Sequence, residues 1–156
     1  MIMKQATLCF LINKKSRKIL LGFKKIGFGS GKYNGFGGKV RNGESIEEAT
    51  KRELFEECGV KTTFIEKVAE LDFFFKKHSE WNQTVHVFIA EDWDGKPGES
   101  DEMTPEWFSF DNLPFERMWK DDIHWLPLVL DNKWVKAKFT FGDDNESIVD
   151  YKINED

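Results

Sequence analysis

The segment GKVRNGESIEEATKRELFEECGV, residues 38–60, constrains the fold more than any other stretch of the chain. Ser45 followed by Glu48 is a capping box and predicts a helix that starts at Ile46. Gly59 can adopt the left-handed conformation that ends it, which leaves a helix of about three turns. At 100° per residue, Ile46 and Ala49 mark the apolar side. Glu53 and Glu57 fall on that same side, and Glu56 lies at its edge. An inward-facing carboxylate is costly unless something compensates its charge. Spaced i, i+3 and i+4, the three carboxylates are expected to converge within one turn, where like charges repel. A divalent cation resolves both difficulties, because carboxylate oxygens are hard ligands suited to Mg²⁺ or Mn²⁺. Arg52, four residues before Glu56, is placed to hold that carboxylate. A solvated acidic face is the plainer alternative, but it leaves the side shared with Ile46 and Ala49 unexplained.

The helix sits among strands. ATLCFLI and KILLGF read as two strands joined by the turn NKKSRK. KTTFIEKVAELDFFF and TVHVFIAEDW read as strands around the polar loop KKHSEWNQ. EWFSF is a short strand, and KWVKAKFTF and SIVDYKI alternate as a closing hairpin. DDIHWLPLVLDN reads as a helix in which Pro127 must sit near the start or cause a kink. Many strands with one or two helices predict a layered α+β fold. The 156 residues, 40% hydrophobic and 15% aromatic, suit one domain spanning 1–156 and are too apolar for a disordered chain.

The formal net charge of -5 argues against a protein that coats nucleic acid, though not against a small anionic ligand held by local groups and a metal. Cys9 and Cys58 stand in no metal-ligand spacing and read as reduced thiols. The apolar N-terminal run is too short to span a membrane and lacks a cleavage-site pattern. A cytoplasmic location is the expectation.

Six of the twelve residues from Gly27 to Gly38 are glycine. The spacing fits neither a P-loop nor a dinucleotide fingerprint, since Val40 stands where Ser or Thr is required. Phe28, Tyr33, Asn34 and Phe36 interleave with the glycines, which points to close backbone approach to a ligand among aromatic side chains. A purely structural turn is the alternative.

Gly38, Glu44, Arg52, Glu53, Leu54, Glu56, Glu57, Gly59 and Val60 together fill every fixed position of the Nudix box, and the chain resembles the Nudix hydrolase family. The resemblance implies the Nudix fold, a mixed β-sheet sandwiched between helices (α/β/α). It also implies Mg²⁺-dependent attack by water on a nucleoside diphosphate linked to another group. GFGSGKYNGFGGKV, ESDEM, PFERMWKDDIHW and FTFGDDNESIVDY extend the likeness to the branch that hydrolyses oxidised purine nucleoside triphosphates. For that branch the implied reaction converts 8-oxo-dGTP or 2-hydroxy-dATP to monophosphate and pyrophosphate, with attack at the β-phosphorus. Carried over by position, substrate contacts fall on Thr7, Lys24, Asn34, Phe36, Gly37, Gly38, Lys39, Phe73, Trp119, Asp121 and Asp122. The metal site falls on the Gly37 carbonyl, Glu53, Glu56, Glu57 and Glu102, and the catalytic group on Arg52, Glu53, Glu56 and Glu57. Either Glu56 or Glu57 can take the proton of the attacking water. Tyr33, Gln83 and Lys120 depart from the tryptophan, methionine and proline of the branch, and the loop around Glu80 is one residue longer.

Three of these assignments have structural alternatives. Asp is a good helix N-cap, so WKDD can simply open the second helix. In the functional reading Trp119 stacks on a base while the Asp pair, sharing a proton, meets its edge. Phe73 can serve the core as well as a ligand, and Glu102 can be an exposed turn carboxylate. The expected partner is a small nucleotide, with no nucleic acid and no membrane, bound by a monomer. A Nudix hydrolase of another nucleoside diphosphate derivative, or a non-catalytic nucleotide-binding module, is the alternative function.

Overall fold

The structure is a computed structural model and describes residues 3–156. Its strands are β1 (Lys4–Asn13), β2 (Lys18–Lys24), β3 (Tyr33–Asn34), β4 (Glu66–Phe75), β5 (Gln83–Ala90), β6 (Met103–Ser109), β7 (Val135–Phe141) and β8 (Ile148–Glu155). Two α-helices, α1 (Ile46–Cys58) and α2 (Asp122–Leu130), interrupt them. All the strands join one sheet in the order β3-β2-β1-β5-β4-β7-β8, with β6 on β2. The β1–β5 and β4–β7 pairs are parallel and the others antiparallel, so the sheet is mixed.

β1 shows why the sheet has two cores. Its central run is apolar on both faces, as expected of a strand covered on both sides. Ala6, Phe10 and Ile12 turn to one face, where they pack with Trp125, Leu126 and Val129 of α2. Cys9 and Leu11 turn to the other, where they pack with Leu54 and Cys58 of α1. The helices therefore lie on opposite faces of the sheet, as the resemblance implies. Leu54 is completely buried, so truncating it to alanine should cost about 2–5 kcal/mol.

α1 begins and ends where the sequence predicts. Both hydrogen bonds of the capping box are present, and Gly59 closes the helix with φ 79°. Elsewhere the boundaries move. The strand expected from Lys61 begins at Glu66; Lys61 makes only an isolated bridge to Asp94. The short strand EWFSF starts earlier, at Met103, and runs through Pro105. Proline is tolerated there because β6 pairs on one side only, with β2, and needs no donor on the other. Pro127 lies inside α2 without ending it.

Candidate active site

The glycine-rich segment comes to the active end of α1 by lying along β1. Backbone bonds join Thr7 N to Gly38 O at 2.9 Å and Phe36 N to Cys9 O at 2.9 Å. A Cβ on Gly37 would stand 1.8 Å from the Thr7 carbonyl oxygen, so only glycine fits. The close approach expected of this segment is thus first of all to β1. From that position Gly37 N–H donates to Glu57 Oε1 at 2.6 Å. Phe36 alternates to the far side. It is wholly buried in the core under α1 and does not line the cavity described below, which corrects its expected substrate contact.

Arg52 organises the rest of the helix end. Its Nε and Nη2 donate to the two oxygens of Glu44, at 2.5 and 3.0 Å. Its Nη1 reaches Glu53 Oε1 at 2.5 Å, and its Nη2 reaches the Lys39 carbonyl at 3.1 Å. The bond to Glu56, the one expected from the i, i+4 spacing, is present and is the loosest at 3.3 Å. Glu44, a role that spacing alone gave no means to assign, is the true bidentate partner. Its hydrogen bonds from Arg52 lower its pKa to about 2, and they raise that of Arg52 in turn.

The three carboxylates share the helix end but do not converge as predicted. Among the described residues, no three acidic, histidine or cysteine side chains are placed to chelate an ion together. Glu53 and Glu56 share Arg52 Nη1, Glu57 takes the Gly37 N–H, and Glu56 stays half-exposed between Arg52 and Arg41. Glu57 is 4% exposed. Burial pushes its pKa up to about 8; the Gly37 N–H opposes this, and Glu53 and Glu102 add to it. Glu102 therefore lies within electrostatic reach of α1, although its oxygen pairs with Lys24 Nζ at 3.1 Å. A buried, charge-frustrated carboxylate beside further acidic oxygens has the donor chemistry of a hard divalent cation site, with the side chains held by Arg52 and Gly37 rather than gathered round one point.

Next to this helix end opens a cavity of about 300 Å³. Glu57, Gly37, Gly38 and Lys39 line one part of it. Thr7, Lys24, Asn34 and Phe73 also line it, with Trp119, Asp121 and Asp122. Arg52, Glu53, Glu56 and Glu102 stand outside the lining. The cavity also takes in Phe141, for which no contact was expected, with Phe28 of the glycine-rich segment, Phe75, and Gln83 at the position where the branch has a methionine of the pocket. Phe28 packs on Trp119 with ring centroids 5.2 Å apart and stands 51% exposed at the glycine turn. Its place among glycines was the available signal. Phe75 was signalled by its alternation with Phe73.

The Asp pair does not cap α2. Asp121 occupies the N-cap position but makes no side-chain cap bond. Its Oδ2 instead accepts from Trp125 Nε1, one turn on, at 2.7 Å. Both carboxyls are buried, and Asp122 Oδ2 finds no hydrogen-bond partner among the described residues. Burial pushes the pKa of Asp121 up to about 6. Burial, with Asp121 adjoining, pushes that of Asp122 well up. Asn34 is oriented by its own backbone: Oδ1 accepts from Gly35 N–H at 2.8 Å, so the amide N–H₂ is left to donate.

A NUDIX domain model matches residues 3–129. The chain belongs to the Nudix family. Two curated Nudix relatives carry the name oxidized purine nucleoside triphosphate hydrolase. The one from Danio rerio is 47% identical over 138 residues, 88% of this chain and 87% of the relative. The one from Mus musculus is 45% identical over 139 residues, 89% of this chain and 88% of the relative. In structure, the mutator MutT protein of Bacillus halodurans superposes with a TM-score of 0.80 at 24% identity, covering 97% of this chain and 98% of that one. That likeness shows the fold. The chain is a Nudix hydrolase, and Nudix hydrolases generally need a divalent metal. Among the described residues, no helix is long and apolar enough to cross a membrane.

Proposed function

We propose that this Nudix hydrolase is a Mg²⁺-dependent pyrophosphohydrolase that converts oxidised purine nucleoside triphosphates, such as 8-oxo-dGTP and 2-hydroxy-dATP, to monophosphate and pyrophosphate. The observation that carries this reading is a single cavity lined at once by Glu57 of α1 and by the buried Asp121–Asp122 pair beside Trp119. One lining suits a triphosphate held by a cation, the other a base. The names of the Danio rerio and Mus musculus relatives support the same reading.

In this reading Trp119 stacks on the base and the Asp pair reads its edge. Burial raises both pKa values, which favours one proton shared by the pair, so that one member donates while the other accepts. The choice of donor and acceptor lets one pocket take both an oxidised guanine and an oxidised adenine. Asn34 adds a fixed donor. Lys24 and Lys39 reach the cavity as cations for the phosphates. Glu53, Glu56, Glu57, Glu102 and the Gly37 carbonyl would hold Mg²⁺, with Mn²⁺ as a substitute. When bound, the ion neutralises phosphate charge and lowers the pKa of water. Arg52 positions Glu44 and Glu53 and braces the backbone at Lys39. Glu56, the loosely held and half-exposed carboxylate, takes the proton of the attacking water. The chain acts as one domain and as a monomer, in a reducing cytoplasm that suits the buried free thiols Cys9 and Cys58.

The test is a substrate panel with Mg²⁺: 8-oxo-dGTP, 2-hydroxy-dATP, dGTP, ADP-ribose and a dinucleoside polyphosphate, with monophosphate and pyrophosphate as readouts. Preferential release of both products from the oxidised triphosphates supports the proposal. Preference for ADP-ribose or the dinucleoside polyphosphate overturns it.

A further inference from the structure

We propose that Gln83 is a specificity-determining residue that reads the oxidised imidazole edge of the base through a paired amide contact. The proposal rests on the functional reading above and adds a residue to it. β1, β5 and β4 lie side by side in the sheet, with Gln83 between Lys4 and Phe73 in register. Alternation along β5 puts Gln83 on the same face as Val85, and both line the cavity. This wall of the cavity is otherwise hydrocarbon: Leu71, Phe73, Phe75 and Val85.

The amide is uncommitted. The next polar side chains of β5 are both engaged within the protein, Thr84 with Asp72 and His86 with Gln5, each at 2.6 Å. Within the cavity, Asn34 is tied to Gly35 N–H and Asp121 to Trp125. Among the described residues, no group hydrogen-bonds the half-buried Gln83 side chain. An amide facing an apolar wall is costly once a ligand excludes water, unless the ligand supplies the bonds.

The chemistry of the base decides what that ligand group is. A carboxamide presents N–H and C=O side by side. An 8-oxopurine presents the complement, N7–H beside C8=O, so the two pair through two hydrogen bonds. An unoxidised purine offers an N7 acceptor beside a C–H and can make only one. 2-Hydroxyadenine carries its extra oxygen on the six-membered ring and gains nothing at this edge. Gln83 therefore favours oxidation at C8, while Asp121, Asp122 and Asn34 serve the other edge.

The experiment measures kcat and KM of wild type, Gln83→Met and Gln83→Glu on 8-oxo-dGTP, 8-oxo-dATP, 2-hydroxy-dATP and dGTP. In Gln83→Met, the kcat/KM ratio of each 8-oxo substrate over dGTP should fall about 10-fold to 100-fold, mainly through KM, as when a site loses the group built to bond a substrate. The ratio of 2-hydroxy-dATP over dGTP should stay within about threefold, since no contact of that base is removed. Gln83→Glu keeps shape but loses the donor, and should lower the 8-oxo ratios as well. The ratios within one variant are independent of how much protein folds. Unchanged 8-oxo ratios in both variants, or an equal loss on every substrate, overturn the role of Gln83. If the wild type itself shows no preference for oxidised purine triphosphates, it is the functional reading that fails.

Discussion

Gly37 N–H donates to Glu57 Oε1 at 2.6 Å, and this bond fastens the glycine-rich segment to the carboxylate end of α1. It exists because Gly37 has no side chain to strike the Thr7 carbonyl. Gly37→Ala must push the segment off β1, so it should lower kcat by about 10²-fold or more, the cost of losing a preorganised electrostatic group. It should also destabilise the fold by about 1–3 kcal/mol through overpacking. Steady-state kinetics and thermal unfolding of the variant check both, and near-normal values would show that the bond is incidental.

Glu56→Gln should cut kcat by about 10²-fold or more while nucleotide still binds, because Glu56 lies outside the lining of the cavity. Calorimetric binding paired with turnover measures the split. Wild-type kcat in the variant would remove Glu56 from the chemistry.

Activity should vanish in excess chelator and return with Mg²⁺ or Mn²⁺. Cation affinity should also depend on pH in a stated direction. Burial raises Glu57 to about 8, so over the neutral range a proton must leave before an ion is held. The apparent Mg²⁺ affinity is therefore expected to climb as pH rises to about 8 and then level off. A flat Mg²⁺ titration between pH 6 and pH 8.5, the range that brackets that shift, would contradict the placement of Glu57.

The buried Asp pair gives a pH test of stability. Both pKa values are raised in the folded state by burial, Asp121 to about 6 and Asp122 well above its ordinary value. Each carboxyl thus favours folding fully below its unfolded pKa, and that contribution is lost as pH rises through the folded value. Asp122→Asn cannot ionise, so it escapes its share of the loss. Its melting temperature relative to wild type should increase from pH 4 to pH 8, by about 2–4 °C for each kcal/mol recovered. A difference that stays constant with pH would mean that Asp122 is not a buried titrating group.

The legible parts of this molecule were those fixed by local chemistry. Ser45, Glu48 and Gly59 set both ends of α1 through bonds within a few residues of one another. β7 and β8 pair as the alternation of KWVKAKFTF and SIVDYKI predicts. What escaped depended on distant partners. β3 is a two-residue strand, Tyr33–Asn34, that exists only because Phe23 and Gly22 lie opposite. Phe36 went to the core because the segment pairs with β1 at Cys9 and so turns its ring toward α1. Arg52 bonds Glu44, eight residues away, more closely than Glu56, a pairing that spacing along one helix does not show. Of the site, the sequence located the cavity-lining Asp121 and Asp122, but the Trp125 bond that sets Asp121 apart from a helix cap needed the fold.

The measurement closest to the central claim is kcat/KM for 8-oxo-dGTP, 2-hydroxy-dATP and dGTP in wild type, Asp121→Asn and Asp122→Asn. Wild type is expected to prefer the oxidised substrates. Each variant should raise KM for them about 10-fold to 200-fold, the cost of a base edge left without its partner, and affect kcat far less. Substrate ratios that are the same in all three proteins would contradict that claim.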